Sequence, residues 1–164
     1  MNAIASTASS ARRGAFVTIV AGGALSATID LIYACTYHGI RSGVPPVRIL
    51  QSIASGLLGR ASYEGGIASA ALGFAAHYLI LIGAAAIYYA ASRRFALLTA
   101  RPMLAGMIFG VGIYCTMNFI VLPLSAAPHF KGTLAGTLSD FAVHVLLLGP
   151  AIAFMIRRFG RGAD

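Results

Sequence analysis

Apolar residues run almost unbroken through four stretches of this chain, Gly14 to Tyr37, Ile67 to Ala91, Pro102 to Leu124 and Thr137 to Ile156. A helix rises about 1.5 Å per residue, so each stretch is long enough to cross the roughly 30 Å of hydrocarbon in a bilayer. The pattern predicts an all-α fold, a bundle of four transmembrane helices over 14–37, 67–91, 102–124 and 137–156. These take up the whole chain, 1–164, as a single integral membrane domain. Between the first two stretches the pattern changes. Pro45-Pro46 is suited to opening a helix, and Val47, Leu50, Ile53, Ala54, Leu57 and Leu58 then recur at helical spacing, with Arg48, Gln51, Ser52 and Ser55 opposite. This predicts a short amphipathic helix over about 46–59, lying on the outer membrane surface or capping the bundle. Arg60, Glu64 and Gly65-Gly66 lead from it into the second span.

Composition agrees with this pattern and narrows it. Of 164 residues 59% are hydrophobic and 10% charged, whereas a soluble domain carries about a quarter charged residues, so a water-covered surface is excluded. The formal charge of +8 would suggest nucleic acid in a soluble protein. Its placement says otherwise. With four alternating spans, Arg12, Arg13, Arg93, Arg94, Arg101, Arg157, Arg158 and Arg161 fall on one side, and Arg41, Arg48, Arg60 and Lys131 on the other. The positive-inside rule then places both termini in the cytoplasm, where the arginines fix topology and meet anionic headgroups of the lipid bilayer. No nucleic-acid partner is indicated. Arg12-Arg13 followed by Ala24-Leu25-Ser26-Ala27 also allows a cleaved or twin-arginine signal, and Cys35 a lipoprotein signal. Against these, the first span matches the third internally. Cys35 and Cys115 read as packing residues.

The chain carries signs of a repeat. Phe74-Ala75-Ala76-His77 in the second span matches Phe141-Ala142-Val143-His144 in the fourth, and both spans end in a double arginine. Thr28-Ile29-Asp30 in the first span matches Thr116-Met117-Asn118 in the third. Two tandem helical hairpins, a parallel repeat, would produce this pattern. The spacings Gly106-x-x-x-Gly110 and Gly132-x-x-x-Gly136 carry little weight, since small residues simply let helices approach in lipid.

Polar residues inside a span are costly, by about 2.5 to 3.5 kcal/mol for a charge at its centre, and so suggest a site or an internal pair. Counted from the flanking arginines, Asp30, His77, Asn118, Asp140 and His144 all lie about 20 to 26 Å from the arginine-rich face. They form one layer in the outer half of the membrane. Asp140 and His144 are also spaced to share a helix face. Four uses fit the layer. It is interhelical glue, or a proton or small-ion relay, or a metal site for zinc built from His77, His144 and Asp140 with Asp30 as an additional ligand, or a haem b site between His77 and His144. His38 and His129 fall in the outer connections as solvated side chains. The chain has no nucleophile elbow, phosphate-cradling glycine motif or paired acidic cluster of recognisable spacing, and no catalytic residue is assigned. A structural or assembly subunit contacting partner membrane proteins is a further alternative. Four short helices enclose little volume, so moving anything larger than an ion would call for a homo-oligomer.

From the second span onward the chain carries His77 with Ile87-Tyr88-Tyr89, then Asn118-Phe119-Ile120-Val121-Leu122-Pro123 with Pro128, and then Ser139-Asp140-Phe141-Ala142-Val143-His144 with Arg157-Arg158. In these segments it resembles the YagU-like family of bacterial inner-membrane proteins, whose activity is not established. The resemblance covers roughly residues 70–160. In the family a histidine stands where this chain has Asn118, and the first span matches poorly, so Asp30 is not carried over. The resemblance implies the bacterial inner membrane, and hence a periplasmic position for the amphipathic helix, with a link to acid tolerance.

Overall fold

The structure, a computed structural model, describes residues 2–128 and 132–160, with side chains from residue 12 onward. His129, Lys131 and Arg161, assigned above to an outer connection or a helix end, lie outside the described residues. All regular elements among the described residues are helical. Four helical segments, Arg12–Ser42, Gly66–Ser92, Pro102–Leu124 and Leu134–Phe159, are long and apolar enough to cross a membrane. They fit a multi-pass membrane protein, and each contains one of the predicted spans.

The first helix, α1 (Asn2–Ser42), runs past the expected end of its span at Tyr37. His38 therefore sits on the last turns of a helix and not in a connection. Gly43, with φ of 63°, stops the helix by adopting a left-handed conformation, which costs glycine nothing. Pro45 and Pro46 then start α2 (Pro46–Leu58), proline being tolerated in a first turn where no amide hydrogen is needed.

The position of α2 is as expected, but its polar side is not. Gln51 and Ser55 are buried, whereas Leu57 is 65% and Leu58 46% exposed. Gln51 Nε2 donates to the Gly66 carbonyl at 3.1 Å, and the exposed Arg48 donates to the Tyr63 carbonyl at 2.9 Å. These bonds tie α2 to the 3₁₀ turn Gly59–Tyr63 and to the start of α3 (Gly66–Ser92). Backbone groups in lipid must find partners within the protein, so Gln51 faces inward and leucines face outward. The helix also packs closely on α3, because a Cβ on Gly73 would run into the backbone of Leu50.

A short turn, α4 (Leu97–Ala100), joins the second span to the third. The third span is α5 (Pro102–Thr116), a wide π turn (Met117–Val121) and α6 (Leu122–Leu124). The fourth is built in the same way, from α7 (Leu134–Val143), a π turn (His144–Leu148) and α8 (Gly149–Phe159). In these turns the Leu122 amide reaches back to Met117, and the Gly149 amide to His144. Prolines explain their placement. Pro123 and Pro150 lack an amide hydrogen, and each ring displaces the carbonyl four residues earlier, Phe119 and Leu146, which lies inside the π turn. Thr133 caps α7, its hydroxyl accepting from the Gly136 amide at 3.1 Å.

Helix α1 packs against α3 and against the fourth span, and the third span packs against the fourth. Small residues set these approaches. A Cβ on Gly23 would meet the backbone of Ile82, one on Gly106 that of Pro150, and one on Gly110 that of His144. Near the arginine-bearing helix ends, Ala85, Tyr88, Ala105, Ile113, Ile152, Ala153 and Ile156 form a buried core. Tyr88 and Phe109 meet edge to face at 5.0 Å, and the Tyr88 hydroxyl donates to the Leu98 carbonyl at 2.9 Å. The second and third spans touch there through Tyr88 and Phe109, and toward the other end both line a cavity.

Candidate intramembrane site

The cavity has a volume of about 880 Å³ and is lined by all four spans and by α2. Its walls are mostly aliphatic, with Ile49, Ile53, Leu79, Ile80 and Ile113 among them. Asp30, His77, Asn118, Asp140 and His144 all line it, and His38 does so as well. Among the described residues that line it there is neither lysine nor arginine.

Each polar group comes from a different local setting. Asp30 projects from the middle of α1, and its carboxylate lies 3.7 Å from His77 Nε2 on α3. That same nitrogen donates to the Ala27 carbonyl at 3.0 Å, which binds the second span to a backbone group one turn before Asp30. Asp140 and His144 lie one turn apart on the fourth span. The Nδ1 hydrogen of His144 is donated to the Asp140 carbonyl at 2.9 Å, and the Asp140 carboxylate is 3.4 Å from the same nitrogen. With Nδ1 as donor, a neutral His144 keeps a lone pair on Nε2. One ligand atom from each of Asp30, Asp140 and His144 lies within 4.8 Å of the others, so the first and fourth spans share a single cluster. His77 joins it through Asp30.

Both histidines are buried, each 7% exposed, while the carboxylate of Asp140 is more open than that of Asp30. The cluster thus grades from a closed end at His77 to an open end at Asp140. Neighbouring polar contacts hold its frame. Ser26 donates to the Leu148 carbonyl at 3.1 Å, at the end of the π turn that His144 begins. The Tyr33 and Ser139 hydroxyls are 2.6 Å apart, and those of Thr28 and Tyr78 2.9 Å apart.

Asn118 lines the cavity but spends its amide within its own helix, donating to the Tyr114 carbonyl at 3.0 Å. Residues matched by the repeat are used differently. His77 bonds across to another span and His144 to its own helix, and Asp30 enters the cluster while Asn118 does not. The haem arrangement gains no geometric support, since the Nε2 of His77 is engaged with the Ala27 carbonyl. The convergent metal-type donors are Asp30, Asp140 and His144, with Asp30 in the place expected for His77. Cys35 and Cys115 are free thiols and take no part.

The walls supplied by α2 and the two π turns had no place in the expected site. Pro123 and Pro150, each near the middle or end of an apolar run, were the available signal for the π turns. No family model, no curated protein and no solved structure matches this chain. The YagU-like resemblance thus rests on the residues that carry it.

Proposed function

We propose that this chain handles protons or small cations within the membrane, using Asp30, His77, Asp140 and His144 as the binding groups. The carrying observation is that four ionisable side chains from three different spans meet in one cavity, with no lysine or arginine among its described lining residues. Interhelical glue needs only pairs of polar groups bonded to each other, worth about 0.6 kcal/mol on average. Here the two carboxylates point at imidazoles and at a large open volume, and such groups at membrane depth mark ion paths and proton relays. His144 exposes a ring nitrogen able to take a proton or a metal, and Asp140 lies beside it toward the opening.

The bilayer in this reading is the bacterial inner membrane, with both termini cytoplasmic, the cavity opening to the periplasm and α2 on that side. This follows the arginine bias and the YagU-like resemblance. Two tandem hairpins remain the proposed origin of the matched Phe-Ala-x-His segments.

Proteoliposomes carrying an imposed pH gradient test the reading. Wild type should dissipate the gradient faster than empty liposomes, and Asp30→Asn or Asp140→Asn should bring the rate back toward the empty control. No flux in the wild type, or unchanged flux in both variants, contradicts it. Elemental analysis of the purified chain separates the metal form of the reading, which requires a stoichiometric divalent ion lost in Asp140→Asn.

A further inference from the structure

We infer that the cavity is a binding site for lipophilic organic cations, molecules with an apolar body and a protonated or quaternary nitrogen or phosphonium centre. The inference deepens the reading above and rests on it in one respect, that the carboxylate cluster attracts positive charge. Three observations lead to this ligand class. The first is size. About 880 Å³ lies within the roughly 300 to 1,000 Å³ of pockets that enclose drug-sized molecules, and far exceeds what a metal ion or proton needs.

The second is the chemistry of the walls. A hydrated inorganic ion filling this volume would bring its water against Ile49, Ile53, Leu79, Ile80 and Ile113, whereas an apolar body replaces that water with favourable contacts. At one level of the cavity the surface changes to Asp30 and Asp140, whose basic neighbours among the described lining residues are imidazoles, His77 and His144, and neither lysine nor arginine. A cation placed there offsets the cost of holding carboxylates in a low-dielectric medium. An anionic or neutral amphiphile would leave that cost in place, so the charge sign selects the ligand.

The third is access. Leu57, Leu79, Leu122 and Leu124 line the cavity and are also 65%, 68%, 44% and 82% exposed. The rim therefore carries apolar side chains from α2 and from the second and third spans on its outer side, which in a bilayer would face the lipid in which an amphiphilic cation already concentrates. Among the described lining residues, histidines are the sole aromatic rings. Recognition then depends on charge and apolar volume more than on stacking, and affinity should rise with the size of the apolar body.

Equilibrium binding of tetraphenylphosphonium to the full chain in detergent tests this. The expected result is one saturable site, competed by a second bulky organic cation, poorly competed by the small tetramethylammonium ion and hardly at all by neutral triphenylphosphine oxide. Asp30→Asn and Asp140→Asn should each weaken binding by at least about tenfold, as loss of one partner from a buried charge pair does. Ala34→Phe, which places a ring in the cavity one turn from Asp30 and leaves the carboxylates in place, should weaken tetraphenylphosphonium binding while preserving proton flux.

Equal competition by the neutral oxide, or unchanged affinity in both Asn variants, overturns the inference. Absence of saturable binding in a wild-type chain that conducts protons through Asp30 also overturns it, and leaves the proposed function intact. Saturable, charge-selective binding in a chain without flux supports the site and contradicts the transport reading. The competition arm uses wild-type protein alone, so a poorly folding variant does not decide the outcome.

Discussion

The same four spans make two unlike halves. At the arginine-bearing end, side chains from the second, third and fourth spans interlock around Tyr88, Phe109 and Ile152, and Tyr88 and Ile152 are almost fully buried. At the other end the second and third spans both line a cavity with ionisable groups in its wall. Composition does not explain the contrast, because Ala, Gly, Leu and Ile fill both halves. Placement of special residues does. Gly106, Gly110 and Gly149 bring the third and fourth spans into backbone contact, the approach that small residues permit in lipid. Beyond that contact the third span enters its π turn, set by Pro123, whereas the π turn of the fourth span, set by Pro150, packs against α5 within the contact. On the far side α2 occupies the surface of α3 that another span would otherwise cover, and Gly73 lets it in. Glycine closes one half, and α2 with the third span around Pro123 lines the cavity of the other.

Substitutions that break the closed half should have the largest effects. Gly110→Leu puts a side chain where the backbone of His144 lies, and should lower the detergent melting temperature sharply, equivalent to about 3 kcal/mol or more, with loss of folded yield. Tyr88→Phe removes the bond to the Leu98 carbonyl from a buried position and should cost about 1 kcal/mol in the same assay. Asp30→Asn in the open half should leave melting within about 1 kcal/mol of wild type while removing flux. That split would show that the polar residues are held by the fold and do not hold it. Gly83→Ala, at a glycine with nothing within 4 Å of an added Cβ, should change melting by no more than about 0.5 kcal/mol. A large loss there would mean that glycine matters generally along these helices, and the comparison would fail.

The spans were legible because hydrocarbon imposes length and polarity on any crossing helix. The polar layer was legible too. Counting residues from Arg13, Arg93, Arg101 and Arg157 put Asp30, His77, Asn118, Asp140 and His144 at one depth, and all five line one cavity. The Asp140–His144 pair was legible from its spacing, but which groups meet across spans was not. The second and third spans are apolar all round, and lipid is as apolar as the bundle interior, so no hydrophobic face reveals which side turns inward. The same ambiguity misled the reading of α2. A helix in water would expose Gln51 and Ser55, but this one buries them and exposes Leu57 and Leu58. The glycines at 106 and 110 were visible and underweighted, and their partner, Gly149-Pro150, could be seen only once the helices were paired. The π turns were encoded by two prolines whose effect falls on residues four positions upstream.

The central claim is that the Asp30 to His144 cluster is open to one face of the membrane and sealed from the other. Replacing Cys35 and Cys115 by serine and introducing Asn118→Cys in the cavity wall gives a single thiol at that level. A membrane-impermeant thiol reagent applied to vesicles of known orientation should modify it from the face opposite Arg93 and Arg94, and should leave it unmodified from the arginine face. Modification from both faces, or from the arginine face alone, would contradict the account.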